Sequence, residues 1–211
     1  MGEETLARRE RRELCDLMDQ LGPDAATLCE GWTTRHLAAH LVLRDGRLDA
    51  VPGIVLPMLA GHTARVQQSI MRRPWPQLVA QIRSGPPWWS PLRLPGVGDR
   101  ANTMEFFVHH EDVRRAQPEW RPRMADEGRA QVLWALLGKA AGLLYRRSPV
   151  GVVLRTPQGW QRTARRADHS VVLVGSPEEL VLHAFGRDRV VVAVEGDEVD
   201  VAGLQSSQRG L

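Results

Sequence analysis

Apolar residues recur at helical spacings in the first part of the chain. Between residues 3 and 21 they lie at Leu6, Leu14, Leu17, Met18 and Leu21. Gly22 and Pro23 interrupt the pattern directly afterwards. Because apolar residues three and four positions apart share one face of a helix, the pattern predicts an amphipathic helix whose arginines form a solvated face.

A second helical pattern begins at Trp32 and continues to Arg44. Thr33 is a suitable N-cap, and Trp32 before it is placed to pack against Leu37 as a hydrophobic staple. His40 lies on the inward apolar stripe of this helix. A histidine there is either a hydrogen-bonded core residue or a ligand, and the pattern alone leaves both open.

Residues 52–100 are rich in proline, glycine and tryptophan. Helical patterns at 56–72 and 75–83 are broken by prolines, and the segment 85–91 cannot form a regular helix because proline removes a backbone donor and restricts the residue before it. We expect an ordered aromatic loop at 85–91. Its tryptophans either pack against the helices, which is the commoner arrangement, or line a pocket.

Two further helices are predicted at 101–116 and at 124–146, the second with a broad apolar face. Several helices joined by short connections favour an antiparallel four-helix bundle with additional pieces. We assign residues 1–147 to this helical domain.

The pattern changes at about residue 148 to short β-branched runs, at 150–155, 160–165 and 171–174. Ser176, Pro177 and Glu179 are a strong helix start before a short helix at 177–185. Two more strands are predicted at 190–194 and 199–201. Residues 148–211 are therefore expected to form a small α+β domain, so the fold class is mainly α with an α+β C-terminal part.

The composition excludes several classes of function. Hydrophobic residues make up 43% of the 211 residues, as in an ordinary globular protein, and the net charge of +3 is scattered without a long basic run. We therefore expect no nucleic-acid partner. No apolar run is long enough to span a bilayer, and two cysteines without a secretory signal favour a reduced cytoplasmic protein.

Glu105 and His109 are the first candidates for chemistry, because residues four apart lie one turn apart on a helix. With 13 glutamates and 7 histidines in the chain, about 0.4 such pairs would arise by chance, so the spacing alone is weak evidence. Their position beside an inward apolar stripe strengthens it, since a buried carboxylate needs a partner. With His40 they would supply three ligands and leave one open position, as in a catalytic zinc site, although a buried hydrogen-bonded network fits equally well.

The neighbouring polar residues are weaker candidates. His110 and Glu111 point away from Glu105 on a helical projection. Asp112 could orient His109 or could pair with a following arginine. Cys29 is a less favoured alternative as a thiol nucleophile, because it has no basic neighbour in sequence.

At these residues the chain resembles the DinB-like metal-binding superfamily, in its mycothiol-dependent maleylpyruvate isomerase branch. The resemblance covers nearly the whole chain. It is carried by Gly31-Trp32-Thr33-Thr34-Arg35-His36-Leu37-Ala38-Ala39-His40-Leu41, by Asn102-Thr103-Met104-Glu105-Phe106-Phe107-Val108-His109-His110-Glu111-Asp112, and by the segment ending in Phe185-Gly186-Arg187.

The resemblance implies that His40, Glu105 and His109 bind a divalent metal, usually zinc. It also implies a low-molecular-weight thiol such as mycothiol as cosubstrate, used for S-transfer or isomerisation of a small electrophile, with Arg187 binding an anionic group. His36 departs from the family, which usually has an aspartate there. A non-catalytic metal- or small-ligand-binding protein is the alternative, and neither the substrate nor the oligomeric state follows from the sequence.

Overall fold

The structure of the protein is a computed structural model. The structure describes residues 4–47, 49–51, 56–93 and 97–210, with the side chains of α5 described from Asn102 onward. The chain forms two compact units, Met1–Arg121 and Pro122–Leu211.

The described part of the first unit contains five α-helices. They are α1 (Leu6–Leu21), α2 (Thr34–Gly46), α3 (Ala60–Met71), α4 (Trp75–Ser84) and α5 (Val97–Ala116), with short 3-10 turns at Pro57–Leu59 and Pro91–Arg93. Helix α1 packs against α4 and α5, and α2 packs against α3 and α4. The helices predicted at 3–21, 56–72, 75–83 and 101–116 are therefore present with slightly shifted ends, and Glu3 lies outside the described residues.

The core of the first unit lies where these helices meet. Its fully buried side chains include Leu14, Met18, Leu37, Leu41, Ile70, Leu78, Ile82 and Phe106. Each large apolar side chain of this kind stabilises the fold by roughly 1.5–3 kcal/mol relative to exposure. Because α2 contributes Leu37 and Leu41 and α5 contributes Phe106, the backbones of both helices are anchored in the core.

The aromatic segment 85–91 is not helical, as its prolines predict. The expected packing of its tryptophans was wrong for Trp88, whose exposed fraction is 83%, and Trp89 is 46% exposed. The prolines on either side restrict the backbone torsions of this segment, and in the resulting conformation Trp88 faces solvent.

The second unit begins with α6 (Glu127–Leu144), which packs against α7 (Pro177–Ala184). A four-stranded sheet follows, made of β1 (Gly151–Arg155), β2 (Gln161–Arg165), β3 (Ser170–Val174) and β4 (Ala193–Glu195), in the order β2-β1-β3-β4. Strand β1 pairs antiparallel with β2 and parallel with β3, and β3 pairs antiparallel with β4. Helix α8 (Glu198–Ser206) contacts β3.

The strand predicted at 199–201 was wrong, because these residues lie in α8. Asp197 occupies the N-cap position, and Glu198 and Asp200 place two carboxylates in the first helical turn. Acidic residues there interact favourably with the helix dipole, which outweighs the β preference of two isolated valines.

The expected fold class, a mainly helical chain with a small α+β part at its C-terminal end, is confirmed. Helix α6, which the sequence placed with the bundle, lies in the second compact unit. Among the described residues, no helix combines the length and the apolar character that crossing a membrane requires.

Candidate metal centre

Two helices bring the three predicted ligands together. His40 is presented by α2, and Glu105 and His109 by α5, one helical turn apart. The Nε2 atom of His40 lies 3.1 Å from Oε1 of Glu105, and the Nε2 atom of His109 lies 3.3 Å from the same oxygen. One ligand atom from each of the three residues therefore falls within 4.8 Å of the others.

The side chains of the three predicted ligands are mostly buried but keep some exposure to solvent. The exposed fractions of the His40, Glu105 and His109 side chains are 11%, 22% and 13%. The two imidazole rings meet edge to face with their centroids 5.3 Å apart, and Trp32 packs on His40 at 5.4 Å. The rings thus pack closely on one another, while each of the three side chains keeps a small exposed fraction.

Asp112 lies behind His109. Its Oδ2 atom is 2.9 Å from Nδ1 of His109, and its side chain is fully buried. Because an ionised carboxylate only accepts hydrogen bonds, Nδ1 of His109 carries a proton, and in the neutral ring Nε2 would be the nitrogen able to bind a metal. Arg114 and Arg115, the alternative partners considered for Asp112, both form ion pairs with Glu111.

Cys29 contacts the same carboxylate. Its Sγ atom donates a hydrogen bond to Oδ2 of Asp112 at 3.2 Å and lies 3.9 Å from Nδ1 of His109. The thiol is therefore on the Nδ1 side of the ring, away from the nitrogen that faces Glu105.

Arg44 is a contact of the site that the sequence analysis missed. Its Nε atom lies 3.4 Å from Oε1 of Glu105, and its Nη1 atom donates to Oδ1 of Asn102 at 2.6 Å. Its position could have been predicted from the sequence, because Arg44 follows His40 by four residues and therefore lies one turn further along the same face of α2. Its positive charge stabilises the Glu105 carboxylate.

Glu105 and His109 form a strongly coupled pair. Burial opposes ionisation of Glu105, but hydrogen bonds from His109 and His40 outweigh it and hold the pKa of Glu105 well below its usual range. Burial likewise opposes protonation of His109, but its hydrogen bonds, led by that to Asp112, raise the pKa of His109 well above its ordinary value. The additional proton on His109 thus stabilises the ionised Glu105 carboxylate beside it. A divalent cation bound between the two side chains could replace this proton.

The donor set fits a divalent metal ion. Two imidazole nitrogens and one carboxylate oxygen are ligands that zinc accepts, and three protein ligands leave a coordination position for another group. The carboxylate behind His109 is the usual partner of a metal-binding histidine.

The other candidate residues have different partners. His110 is buried with its Nδ1 atom 2.9 Å from Oε2 of Glu10. His36 caps α2, where its Nδ1 atom accepts a hydrogen bond from the Thr33 backbone N–H at 3.2 Å. His36 fills the third helical position of a capping box, so its side chain satisfies a backbone N–H group at the start of α2.

Arg187 lies just after α7 in the second unit. Its guanidinium donates to the carbonyl oxygen of Phe185 at 2.6 Å. Its suggested role in binding an anionic group stays a prediction.

The comparisons with known proteins identify the fold. No family model matches the sequence, and no curated protein is significantly similar to it. Two solved structures do match: a mycothiol-dependent maleylpyruvate isomerase, at 17% identity with a TM-score of 0.60, and a histidine-to-alanine mutant of an enzyme of that name, at 15% identity with a TM-score of 0.62. In both cases 91% of each chain is covered. The chain therefore shares the fold of these isomerase structures over nearly its whole length.

Proposed function

We propose that this protein is a divalent-metal-dependent enzyme that uses a low-molecular-weight thiol, of the mycothiol type, for S-transfer to or thiol-assisted isomerisation of a small electrophile. The observation that carries the proposal is the convergence of His40 Nε2 and His109 Nε2 on one oxygen of Glu105, with Asp112 behind His109. The shared fold with mycothiol-dependent maleylpyruvate isomerase structures supports the choice of thiol chemistry.

In this proposal His40, Glu105 and His109 hold the metal ion, with zinc as the expected ion. When bound, the ion would supply Lewis-acid stabilisation of a thiolate, which is the nucleophilic form of a thiol. Asp112 keeps the proton of His109 on Nδ1, so that Nε2 stays available as a ligand.

Two arginines have supporting roles. Arg44 lies against Glu105 and favours its ionised form, which metal binding requires. Arg187 is proposed to bind an anionic group of the substrate, as the resemblance implies. The protein is proposed to act in the cytoplasm on small molecules.

The ligand assignment is tested by metal analysis of the purified protein and of three variants, His40→Ala, Glu105→Ala and His109→Ala. Each variant should lose most of its bound metal. His62→Ala is a matched control, because His62 is a half-exposed histidine that pairs with Asp49 on the surface. Full metal occupancy in all three variants would overturn the ligand set.

The activity is tested by a thiol-consumption assay with mycothiol and a panel of electrophiles. Metal-dependent loss of free thiol, absent in the three ligand variants, is the expected result. Metal binding without consumption of any thiol tested would instead favour the alternative, a non-catalytic metal- or small-ligand-binding protein.

A further inference from the structure

A basic cleft lies in the first unit, apart from the candidate metal centre. Its volume is about 580 Å³, and its walls come from the start of α1, the end of α4 and the turn at Pro91–Arg93. Five arginines line it, namely Arg8, Arg11, Arg12, Arg83 and Arg93, whereas Glu4 is its only lining carboxylate among the described residues. The three proposed metal ligands are not among its lining residues.

Arg11 is a fixed cation in the wall of this cleft. Its side chain is only 9% exposed, and its Nη1 atom lies 3.1 Å from Oδ2 of Asp45 and donates to the carbonyl oxygen of Ile82 at 3.3 Å. The guanidinium also stacks over the Phe106 ring, 4.2 Å from its centroid. These contacts hold the guanidinium in one orientation before any ligand arrives.

Gly85 makes room for this arginine. Its φ is +81°, in the left-handed region that favours glycine, and a Cβ atom built there would lie 2.8 Å from Nη1 of Arg11. A glycine at the end of α4 thus serves both the helix terminus and the close approach of a buried cation.

The remaining arginines are available to an incoming anion. Arg8 and Arg93 have no carboxylate partner among the described residues, and the guanidinium of Arg93 donates to the carbonyl oxygen of Pro86. Arg12 pairs with Glu4, with side chains 50% and 42% exposed. Arg83 pairs with two aspartates that are each 52% exposed. Exposed pairs of this kind contribute only about 0–1 kcal/mol each, so a ligand can displace them.

We propose that this cleft binds a small organic or inorganic anion carrying carboxylate or phosphate groups. Guanidinium groups match both kinds of oxyanion through paired, charge-assisted hydrogen bonds. The volume is in the range of small-molecule sites, about 300–1,000 Å³. The fixed Arg11 positions the anion, and the exposed arginines at the rim supply further charged hydrogen bonds.

The test is isothermal titration with inorganic phosphate and, separately, with citrate, at constant ionic strength set by sodium chloride. We expect saturable binding of at least one of the two anions, and the tighter one identifies phosphate or carboxylate as the preferred group. The double variant Arg8→Gln/Arg93→Gln should weaken that binding roughly tenfold or more, since the loss of even one charged hydrogen bond corresponds to about tenfold in affinity.

The matched control is the double variant Arg65→Gln/Arg72→Gln, which removes the same charge from exposed arginines outside the cleft. Its anion affinity should stay within twofold of the parent protein. An equal loss in both double variants, or no saturable binding of either anion, would overturn the proposal. Because the Arg8→Gln/Arg93→Gln variant leaves the three proposed metal ligands intact, a loss of anion binding in that variant alone distinguishes the cleft from the proposed metal centre.

Discussion

The Nδ1 atom of His109 lies 2.9 Å from the Oδ2 atom of Asp112, three residues further along α5. The opposite ring nitrogen, Nε2, faces Glu105 at 3.3 Å. One helix therefore supplies two proposed ligands and the group that orients one of them. This relation separates the residues that would touch the metal from those that act through His109.

Replacing Asp112 with asparagine tests the orienting role. Because the neutral amide oxygen can accept from the Nδ1–H group only without the carboxylate's negative charge, we expect metal affinity to fall about 10–100-fold. The measurement is a competition titration with a chromogenic chelator. Asp24→Asn, at an exposed position, is the control. An unchanged metal affinity in Asp112→Asn would contradict the proposed role of Asp112 in orienting His109.

Cys29→Ser separates metal-activated thiol chemistry from catalysis by the protein's own cysteine. The Cys29 thiol faces Asp112 on the far side of the His109 ring from Glu105, and a serine hydroxyl can donate to the same carboxylate. Metal content should be unchanged, and turnover of an external thiol should stay within a few-fold. Abolished turnover with full metal content would identify Cys29 as a nucleophile instead.

Glu111→Gln should destabilise the fold without removing a metal ligand. Glu111 and Arg115 are each 1% exposed and lie 2.6 Å apart, and removing one charge of a buried pair typically costs about 3–5 kcal/mol. Urea unfolding followed by circular dichroism measures the change, with the exposed Glu119→Gln as control. Under native conditions the variant should retain its metal. A loss of metal with unchanged stability would contradict the structural role.

The second unit should lose stability in acid because of His183. Its Nε2 atom lies 2.7 Å from Nη1 of Arg209 and must accept, so the ring proton is on Nδ1, 2.8 Å from the Tyr145 hydroxyl. Burial, followed by the nearby Arg209 charge, lowers the pKa of His183 from 6.5 to about 3.

Between pH 6.5 and about 3 the unfolded chain therefore binds a proton at His183 that the folded protein does not. The free energy of unfolding should fall with decreasing pH in this window, by at most about 1.4 kcal/mol per pH unit from this residue. Hydrogen exchange of α7 peptides at pH 7 and pH 5, corrected for intrinsic exchange rates, measures the effect. His183→Gln should show a weaker pH dependence, and an identical dependence would contradict the assignment.

Local sequence signals were sufficient for most of the helices and for part of the candidate site. The N-cap at Ser176, the break at Gly22-Pro23 and the four-residue spacing of Glu105 and His109 all depend on interactions between residues close in sequence. Such interactions depend only on which residues lie a few positions apart in the sequence. The helices and the ligand pair that they define could therefore be predicted without knowledge of the fold.

Only the tertiary structure decided which distant groups meet. His40 reaches Glu105 across 65 positions, Arg44 approaches the same carboxylate, and Asp112 pairs with His109 and Cys29. Residues 199–201, for which the local β preference was misleading, are helical in the structure. These outcomes depend on how helices pack and on which partners compete for a buried charge, and neither is determined by the spacing of residues along one helix.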